Sequence, residues 1–394
     1  MQFNKAVLTD EVQDFISSNL KSDISKLLLK GIDFEGISVQ EIVEQIEAKK
    51  RSEKKLPTWF NAENIYFPNK LNIEQTSSEA TANYKANLVS GKSLIDLTGG
   101  FGIDAFYFSK HFEKITHCEI NAELSKIVKH NYQQLKADNI DCLNENGIDA
   151  LKRIDKQFNW IYIDPSRRDD AKQKVFLLSD CTPNIKTFQG LFLKYAENVM
   201  VKTSPLLDLK ATLTDLNHVK EIHIVALNNE VKELLWILKR NYEGETLVKT
   251  VNLQKETNQS FDFNIDEEPE CKAEYSLPLA YLYEPNVSVL KAGAFNVIST
   301  ELNIPKLHQH SHLYTSDSLV EFPGRRFKIE KQIPFNKKAF SKEKISKANV
   351  TTRNFPLSVG DIRKKLKIKD GGNIYLFYTT NIKDEKIILV CSKI

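Results

Sequence analysis

"SLIDLTGGFGIDAFYFS", residues 93–109, places an acid, a hydroxyl and three glycines directly after a short apolar run. The chain has 14 glycines in 394 residues, and Gly99, Gly100 and Gly102 are three of them. Glycine permits positive φ and close backbone approach at a cost in helix and strand stability. A helical apolar pattern follows at once. We therefore expect a strand, a tight turn and a helix N-terminus, with a ligand against the backbone of the turn.

Length and composition indicate a globular protein with a substantial core. At 394 residues the chain should hold two or three domains, and 41% apolar and 27% charged residues are ordinary values. The sequence has no run of eighteen apolar residues and no signal-peptide pattern, so we expect neither a membrane span nor a secretory leader. Five scattered cysteines without C-x-x-C spacing favour no metal site, no disulfide framework and a cytoplasmic location.

Charge is distributed unevenly along the chain. Residues 321–394 carry 18 Lys and Arg against 7 Asp and Glu, whereas the whole chain carries 55 against 52. The C-terminal segment therefore has a net charge of +11 and the remainder has −8. This segregation is typical of a polyanion-binding appendage on an acidic body, although a well-solvated lysine-rich surface would give the same count.

The apolar pattern indicates a helical segment followed by an α/β core. Residues 8–54 predict two or three helices with Thr9 and Ser38 as N-caps, and a further helix begins near Ser77. Over residues 92–263, short apolar runs alternate with helical patterns, which predicts a parallel sheet covered on both faces. The strand candidates are SLIDLT, ITHCEI, NIDCLN, WIYIDP, NVMVKT, EIHIVAL and a last strand TLVKTVNL, and the helix candidates include NAELSKIVKHNYQQLKA and NEVKELLWILKRNY.

A polar, acidic stretch at residues 252–274 predicts a boundary, and two smaller units follow it. The first is a small module that contains residues 279–317. The second begins at Phe322, and its pattern predicts a strand, a helix capped by Ser358, a KDGGN turn and a hairpin of IYLFYTT with KIILVCS. We expect the second unit to be compact, basic and α+β.

Three cofactor classes use a strand, a glycine turn and a helix. A nucleoside triphosphate site needs G-x-x-x-x-G-K-[ST], and no Lys-Ser or Lys-Thr follows these glycines. A dinucleotide site needs G-x-G-x-x-G, and the spacing here differs. The remaining class is S-adenosylmethionine, for which Asp96 and the three glycines fit the layout D-x-x-G-G-x-G.

Residues at the ends of the next strands extend this cofactor site. Glu119 ends the second strand, where a carboxylate accepts hydrogen bonds from ribose hydroxyls. Ile120 would cover the adenine, and Asp149 would accept from its amino group. Asp164 ends the fourth strand, at the sheet edge where ligands of such folds bind. The predicted cofactor-binding set is Asp96, Thr98, Gly99, Gly100, Phe101, Gly102, Glu119, Ile120, Asp149 and Asp164.

These motifs resemble those of class I methyltransferases, and more narrowly those of a bacterial group with a THUMP-like C-terminal domain. The resemblance covers most of the chain and rests on IEQTSSEATANYKA, DLTGGFGIDAF, CEIN, DPSRR, VKTSPLLDL, YLYEPN, FPGRRF and RNFPLSVGDIRKKLKIKDGG. DLTGGFGIDAF is also similar to the small-subunit ribosomal RNA guanine-N2 methyltransferases. The resemblance implies a cofactor-binding sheet, a small ferredoxin-like insert near residues 275–318 and an RNA substrate.

The expected fold is α/β, with a Rossmann-like class I methyltransferase sheet. We expect a helical N-terminal cap at 1–70, a methyltransferase domain dependent on S-adenosylmethionine at 71–268, a ferredoxin-like module at 269–320 and a basic α+β THUMP-like domain at 321–394. The expected activity is methyl transfer from S-adenosylmethionine to a nucleotide of structured RNA, tRNA or rRNA. The alternatives are a protein or small-molecule acceptor, and a non-catalytic RNA-binding protein on the same fold.

The acceptor end departs from the pattern of enzymes that methylate exocyclic amines. Those enzymes often carry (N/D)-P-P-(F/Y/W) after the fourth strand, whereas Asp164-Pro165 is followed here by Ser-Arg-Arg without an aromatic. Asp164 and Pro165 are the predicted catalytic residues, with Asp164 accepting a substrate proton or hydrogen bond, or else binding only cofactor. Arg167 and Arg168 would contact the substrate, or else pair with nearby acids.

Other polar residues leave alternatives open. Cys181 lies outside the usual contexts of a methyltransferase nucleophile, so we expect a buried structural thiol. Lys202 begins the segment KTSP, which would border the acceptor pocket and contact substrate, or else support the pocket structurally. Ser77 and Ser78 would form part of a lid over the cofactor, or else cap a helix.

The last candidates lie toward the C-terminus. The segment HQHSH at residues 308–312 alternates histidines, which on a strand would share one face, but we expect solvated or RNA-facing side chains rather than a metal site. Basic residues of the final unit, interleaved with aromatics, would bind RNA through its backbone and shape. The predicted RNA contacts there are Arg325, Arg326, Arg353, Arg363 and Lys364.

Overall fold

The computed structural model describes residues 2–31, 33–167 and 177–394. The chain divides into two compact units, which are Met1–Lys220 with Leu234–Glu243, and Glu221–Glu233 with Gly244–Ile394. One predicted substrate contact, Arg168, lies outside the described residues. For Arg167 the structure gives the backbone position alone.

The first unit begins with helices, as the apolar pattern predicts. After a 3-10 turn at Lys5–Leu8 they are α1 (Asp10–Ser18), α2 (Ile24–Lys30), α3 (Val39–Lys55), α4 (Pro57–Asn61), α5 (Lys70–Gln75) and α6 (Glu79–Ala86). Ser38 caps α3 in a capping box with Glu41, and Ser78 caps α6. Thr9 precedes α1 but donates its hydroxyl to the Ala6 carbonyl at 3.0 Å, so the predicted cap bond is not made.

Strands and helices alternate from Gly91 to Ile163, which confirms the predicted α/β sheet. The elements are β1 (Gly91–Asp96), α7 (Ile103–Phe108), β2 (Phe112–Cys118), α8 (Ala122–Gln134), β3 (Ile140–Leu143), α9 (Gly147–Ile154), β4 (Phe158–Ile163), β5 (Ser166–Arg167), β6 (Cys181–Thr182), α10 (Ile185–Tyr195), β7 (Ala196–Thr203), α11 (Leu209–Asp215), β8 (Val219–Leu227) and β9 (Glu230–Lys239). β7, β4, β1, β2 and β3 are parallel neighbours in that order. Fully buried runs such as Val199–Val201 form these strands, as is typical of a sheet covered on both faces.

The prediction of a helix over NEVKELLWILKRNY is wrong, because this segment forms β9. β9 pairs antiparallel with β7, and Trp236 lies opposite Val201. All five residues of Leu234–Leu238 are buried, and a run that is apolar on every face fits a covered strand as well as a buried helix. Asn228 and Asn229 both have positive φ, 51° and 63°, as a two-residue hairpin turn requires. The Asn228-Asn229 pair was therefore the sequence signal for a hairpin turn that the helix prediction missed.

The second unit contains two groups of strands. Its further elements are β10 (Leu247–Leu253), β11 (Gln259–Asn264), α12 (Glu267–Glu270), β12 (Tyr281–Pro285), α13 (Val287–Ala292), α14 (Val297–Glu301), β13 (Tyr314–Ser316), β14 (Gly324–Pro334), α15 (Lys337–Lys342), β15 (Lys347–Thr352), α16 (Val359–Leu366), β16 (Lys369–Thr380) and β17 (Lys386–Lys393). β11, β10 and β8 are neighbours in that order, and a six-stranded sheet follows the order β13-β12-β14-β17-β16-β15. TLVKTVNL is therefore not a last strand, since β11 follows it within the stretch predicted as a boundary.

The C-terminal hairpin and helix are confirmed, but the KDGGN turn is not. β16 and β17 pair antiparallel, and Ser358 caps α16 by accepting from the Asp361 N–H at 3.2 Å. KDGGN lies inside β16, where Gly371 and Gly372 adopt φ of 93° and 88°. The pairing of β16 with β15 shifts register beside these glycines, so they form an irregularity of the strand instead of its end.

Candidate active site

The glycine turn lies between β1 and α7, where the sequence analysis placed it. Gly99 donates its N–H to the Cys118 carbonyl at 2.9 Å. A Cβ atom added at Gly99 would lie 2.3 Å from the ring of His117. A Cβ atom added at Gly102, which has φ of 78°, would lie 2.1 Å from the hydroxyl oxygen of Tyr132. These two glycines therefore make room for buried side chains of the protein itself.

Gly100 is the glycine of the turn that faces open space. It has φ of 57°, and the nearest atom to an added Cβ, the carbonyl oxygen of Thr98, would be 3.9 Å away. The expectation that a ligand accounts for all three glycines therefore applies to Gly100 alone. Gly100 leaves open space beside its Cα atom, whereas internal packing accounts for Gly99 and Gly102.

Alanine substitutions separate these two roles. Gly100→Ala is expected to lower the free energy of unfolding by about 1–2 kcal/mol, the cost of a left-handed backbone with a Cβ. Gly102→Ala carries the same backbone cost and is expected to lose about 1–3 kcal/mol more, because it overpacks against Tyr132. Urea unfolding measured for both variants gives the difference, and equal losses would contradict the packing role of Gly102.

Three predicted carboxylates lie at the carboxyl edge of the parallel strands. Asp96 ends β1, is 1% exposed and accepts from the Thr98 N–H at 2.9 Å. Glu119 follows β2 and accepts from the Gly100 N–H at 2.8 Å. Asp164 follows β4 and donates its backbone N–H to the Thr98 hydroxyl at 2.6 Å. Thr98 thus connects the ends of β1 and β4.

Burial governs the ionisation of two of these carboxylates. Burial raises the pKa of Asp96 well above its ordinary value, and repulsion from Asp104, Asp164 and Glu119 raises it further. Burial also raises the pKa of Glu119, against the opposing effect of the backbone N–H groups that bind it. Carboxylates whose pKa values are perturbed by burial and by neighbouring charges favour a functional site.

The raised pKa of Asp96 makes stability depend on pH. A carboxyl whose pKa is higher in the folded state loses folding free energy as pH rises from the ordinary value of 3.8 toward the folded value. We therefore expect Asp96→Asn to be more stable than the wild type at neutral pH without ligand. This advantage should vanish as pH falls toward 3.8, and a thermal unfolding series from low to neutral pH measures it. A stability difference between Asp96→Asn and the wild type that stays constant across the pH series would contradict the cost of burying an ionised Asp96.

Lys202 binds the carboxylate of Asp164. Lys202 lies on β7, the neighbour of β4, and its ammonium forms an ion pair with Asp164 Oδ2. The side chain of Lys202 is 12% exposed and that of Asp164 is 35% exposed. The predicted catalytic carboxylate is therefore partly exposed, while a nearly buried cation holds it in place.

A buried network that the sequence analysis missed lies in the same unit. Lys85, on α6, is fully buried, and its ammonium lies 3.2 Å from Asp104 Oδ1. Asp104 Oδ2 accepts from the Ser77 hydroxyl at 2.8 Å and from the Tyr162 hydroxyl at 2.7 Å. Burial alone would raise the pKa of Asp104, but the ammoniums of Lys85 and Lys202 hold it below its usual value. Ser77 thus belongs to this network, while Ser78 caps the helix.

The remaining predicted cofactor residues divide between surface and core. Ile120 is 70% exposed, and Asp149 is exposed near the start of α9. α9 approaches the glycine turn closely, since a Cβ added at Gly147 would lie 2.2 Å from the Leu97 carbonyl oxygen. Phe101 is buried, so its ring belongs to the core.

Cys181 is not the buried thiol that the sequence analysis expected. It is half-buried and lies on β6, whose short antiparallel partner is β5. Its backbone partner is Arg167, in the segment that follows Asp164-Pro165. The local sequence could not indicate this placement, because β5 and β6 are two-residue strands.

The predicted RNA contacts of the second unit mostly bind carboxylates. Glu284 is buried and accepts from Arg353 Nη2 at 2.9 Å and from Arg325 Nε at 2.7 Å. Arg326 pairs with Glu321 at 2.5 Å. Among the same predicted contacts, Arg363 pairs with Asp370, and Lys364 is exposed.

The histidines of HQHSH do not lie on a strand. Residues 309–311 form a turn, His308 pairs with Asp384 at 3.1 Å, and the His312 ring stacks on Phe295 at 3.7 Å. Burial lowers the pKa of His312 to about 4. In the described part of the chain, no group of three His, Cys, Asp or Glu residues is placed to hold a metal ion. None of the described helices is long and apolar enough to cross a membrane.

Comparison with known families divides the chain into three matched segments. Residues 74–204 match the family described as conserved hypothetical protein 95. Residues 281–323 match a ferredoxin-like domain, and residues 324–393 match a THUMP domain-like family. No curated protein matches the chain.

Solved structures show the family of the whole chain. A Porphyromonas gingivalis W83 protein, described as a "putative methyltransferase", is 32% identical over 100% of both chains, with a TM-score of 0.90. The M. jannaschii tRNA m1G37 methyltransferase is 15% identical over 43% of this chain and 51% of that chain, with a TM-score of 0.30. A Streptococcus mutans protein in complex with SAH is 13% identical over 41% of this chain and 96% of that chain, with a TM-score of 0.31. The chain therefore belongs to the methyltransferase family of the Porphyromonas gingivalis protein, with a Rossmann-like methyltransferase fold followed by ferredoxin-like and THUMP-like domains.

Proposed function

We propose that the protein transfers a methyl group from S-adenosylmethionine to a nucleotide of structured RNA, either tRNA or rRNA. The observation that carries the proposal is one edge of the parallel sheet, where the open turn at Gly100, the carboxylates of Asp96 and Glu119, and the Asp164–Lys202 pair occur together. The THUMP-like domain and the +11 charge of residues 321–394 support RNA as the acceptor.

The residues of the edge fit the chemical groups of S-adenosylmethionine. Asp96 is a buried carboxylate whose ionisation is costly, and the α-ammonium of the ligand would offset that cost. Glu119 would accept from the ribose hydroxyls, and the exposed Ile120 would cover the adenine beside Asp149. When bound, the cofactor supplies an electrophilic methyl group on a sulfonium.

The acceptor would lie against Asp164 and Pro165. Asp164 is half exposed, and Lys202 fixes its carboxylate from the side of β7. An oriented carboxylate accepts a hydrogen bond or a proton from the attacking group as the methyl moves. Alignment of the two reactants supplies most of the acceleration, since effective molarities from orientation can reach about 10⁵ M or more.

Nucleoside analysis tests the proposal. Modified nucleosides are compared by mass spectrometry in fractionated RNA from the parent organism and from a deletion strain. We expect one methylated nucleoside to disappear and the wild-type gene to restore it. An unchanged nucleoside profile under several growth conditions would contradict the RNA acceptor. In that case, methyl transfer to the protein fraction or to small molecules of the deletion strain identifies the acceptor class.

A further inference from the structure

A cleft of about 440 Å³ lies between α15 and the end of α16, in the THUMP-like domain. Four lysines line it, and none of its lining residues is acidic. The full lining is Lys337, Phe340, Ser341, Lys344, Ile345, Ser346, Lys365, Leu366 and Lys367. We call this feature the lysine cleft.

The surroundings of the lysine cleft are also basic. Residues 337–370 contain nine lysines, and all nine are exposed. The same span has three acids, each already bound: Glu343 accepts from Lys331 at 2.7 Å, Asp370 pairs with Arg363, and Asp361 accepts from the Ser358 hydroxyl at 2.6 Å. The carboxylates of this segment are therefore committed to partners that do not line the cleft.

Two cleft lysines occupy backbone positions where glycine has the lower cost. Lys344 follows α15 with φ of 53°, and Lys367 ends α16 with φ of 56°. The left-handed region disfavours residues with a Cβ, and helices commonly end there in glycine. The C-terminal end of a helix carries a partial negative charge of at most about one half, which the ammonium of Lys344 at α15 and those of Lys365 and Lys367 at α16 exceed. The cleft thus remains positive after the helix dipoles are counted.

The lysine cleft differs from the arginines that the sequence analysis favoured. Arg325 and Arg353 share the buried Glu284, so an incoming phosphate would have to compete with that carboxylate. The cleft also lacks an exposed aromatic for stacking on a base, because its one aromatic, Phe340, is 3% exposed. The cleft is therefore suited to phosphate groups and not to bases.

We propose that the lysine cleft binds the phosphate backbone of RNA without selecting its sequence. The inference rests on the proposed function, from which it takes RNA as the polyanion, and it names where the backbone is held. Four phosphate contacts predict a contribution of about −3.6 to the log–log salt slope on duplex RNA and about −2.8 on a single strand.

The test uses the full chain and a fluorescently labelled RNA hairpin, titrated at 50–200 mM KCl. The cleft variant replaces its four lysines by glutamine, which removes the charge and keeps a polar side chain that is one bond shorter. The matched control makes the same change at four exposed lysines of the first unit. The cleft variant is K337Q/K344Q/K365Q/K367Q and the control is K50Q/K54Q/K129Q/K152Q.

We expect the cleft variant to bind RNA at least about tenfold more weakly at 100 mM KCl, with a salt slope shallower by about 3. The control should stay within about threefold of the wild type. A DNA hairpin of the same sequence should lose affinity by the same factor, because phosphate is common to both. A loss confined to RNA would overturn the assignment to phosphate alone, because it would show that the cleft senses the 2′-hydroxyl.

The remaining outcomes separate this inference from the proposed function. Equal behaviour of the cleft and control variants would overturn the lysine cleft, while the nucleoside comparison could still support RNA methylation. A wild-type protein that binds no RNA even at 50 mM KCl would overturn both. SAH binding, measured by calorimetry on each variant, should be unchanged, and this reports that the first unit is intact.

Discussion

Replacing Lys85 by methionine is expected to lower the free energy of unfolding by about 3–5 kcal/mol, the usual cost of removing one member of a buried ion pair. Lys85 is fully buried, so its loss leaves the Asp104 carboxylate without the ammonium 3.2 Å away. Methionine fills nearly the same volume, so packing contributes little to the loss. Urea unfolding followed by tryptophan fluorescence measures it, because Trp59, Trp160 and Trp236 all belong to the first unit.

The double variant Lys85→Met/Asp104→Asn is the matched control. An asparagine oxygen can still accept from Ser77 or Tyr162, and neither charge of the buried pair remains. We expect the double variant to recover at least half of the loss. A loss of less than about 1 kcal/mol in the free energy of unfolding of Lys85→Met would contradict a strong buried pair. So would a loss in the double variant equal to the sum of the losses in Lys85→Met and Asp104→Asn.

The effect of pH on Lys85→Met follows from the pKa of Asp104. The wild-type pKa lies below the ordinary value of 3.8, so the pair stabilises the fold above 3.8 and this contribution is lost as pH falls through the folded pKa. The difference between wild type and Lys85→Met should therefore be largest near neutral pH and shrink in acid. A difference that grows in acid would contradict the sign.

The shared location of three predicted site residues could be derived from the sequence, because each lies at the carboxyl end of a strand of one parallel sheet. Asp96 ends β1, Glu119 follows β2 and Asp164 follows β4, and topology alone brings the carboxyl ends of such strands to one edge. The Lys85–Asp104 pair lacks this kind of signal. Lys85 lies on a helix where an exposed lysine would look the same, and its partner is set by the packing of α6 against α7.

Charge counts likewise predicted a basic C-terminal unit, but they could not show which of its arginines and lysines pair with carboxylates. Arg325 lies 41 residues from Glu284 in sequence, and Arg353 lies 69 residues from it. Long-range pairing of this kind depends on the register of β12 with β14, which places Glu284 directly opposite Arg325. The helix prediction over the segment that forms β9 was wrong for a related reason. A fully buried apolar run has no polar face from which a helical or strand period can be recognised.

Substitutions at Asp164 and Asp149 test two parts of the proposed reaction separately, the activation of the acceptor and the binding of the cofactor. Asp164 follows β4 with its carboxylate on Lys202, whereas Asp149 is exposed near the start of α9. Asp164 and Asp149 can each be changed from a carboxylate to an amide with almost no change in volume. The assay is transfer of labelled methyl from S-adenosylmethionine to RNA of the deletion strain.

Asp164→Asn is expected to lower kcat by about 10²-fold or more, the usual contribution of a positioned acid–base group. Its KM for S-adenosylmethionine should change by less than tenfold, because the amide keeps the backbone bond to Thr98. Asp149→Asn should do the reverse, raising the KM for the cofactor about 3–10-fold through the lost hydrogen bond and leaving kcat nearly unchanged. If Asp164→Asn instead raised KM alone, Asp164 would bind cofactor only, and the acceptor proton would have to leave by another route.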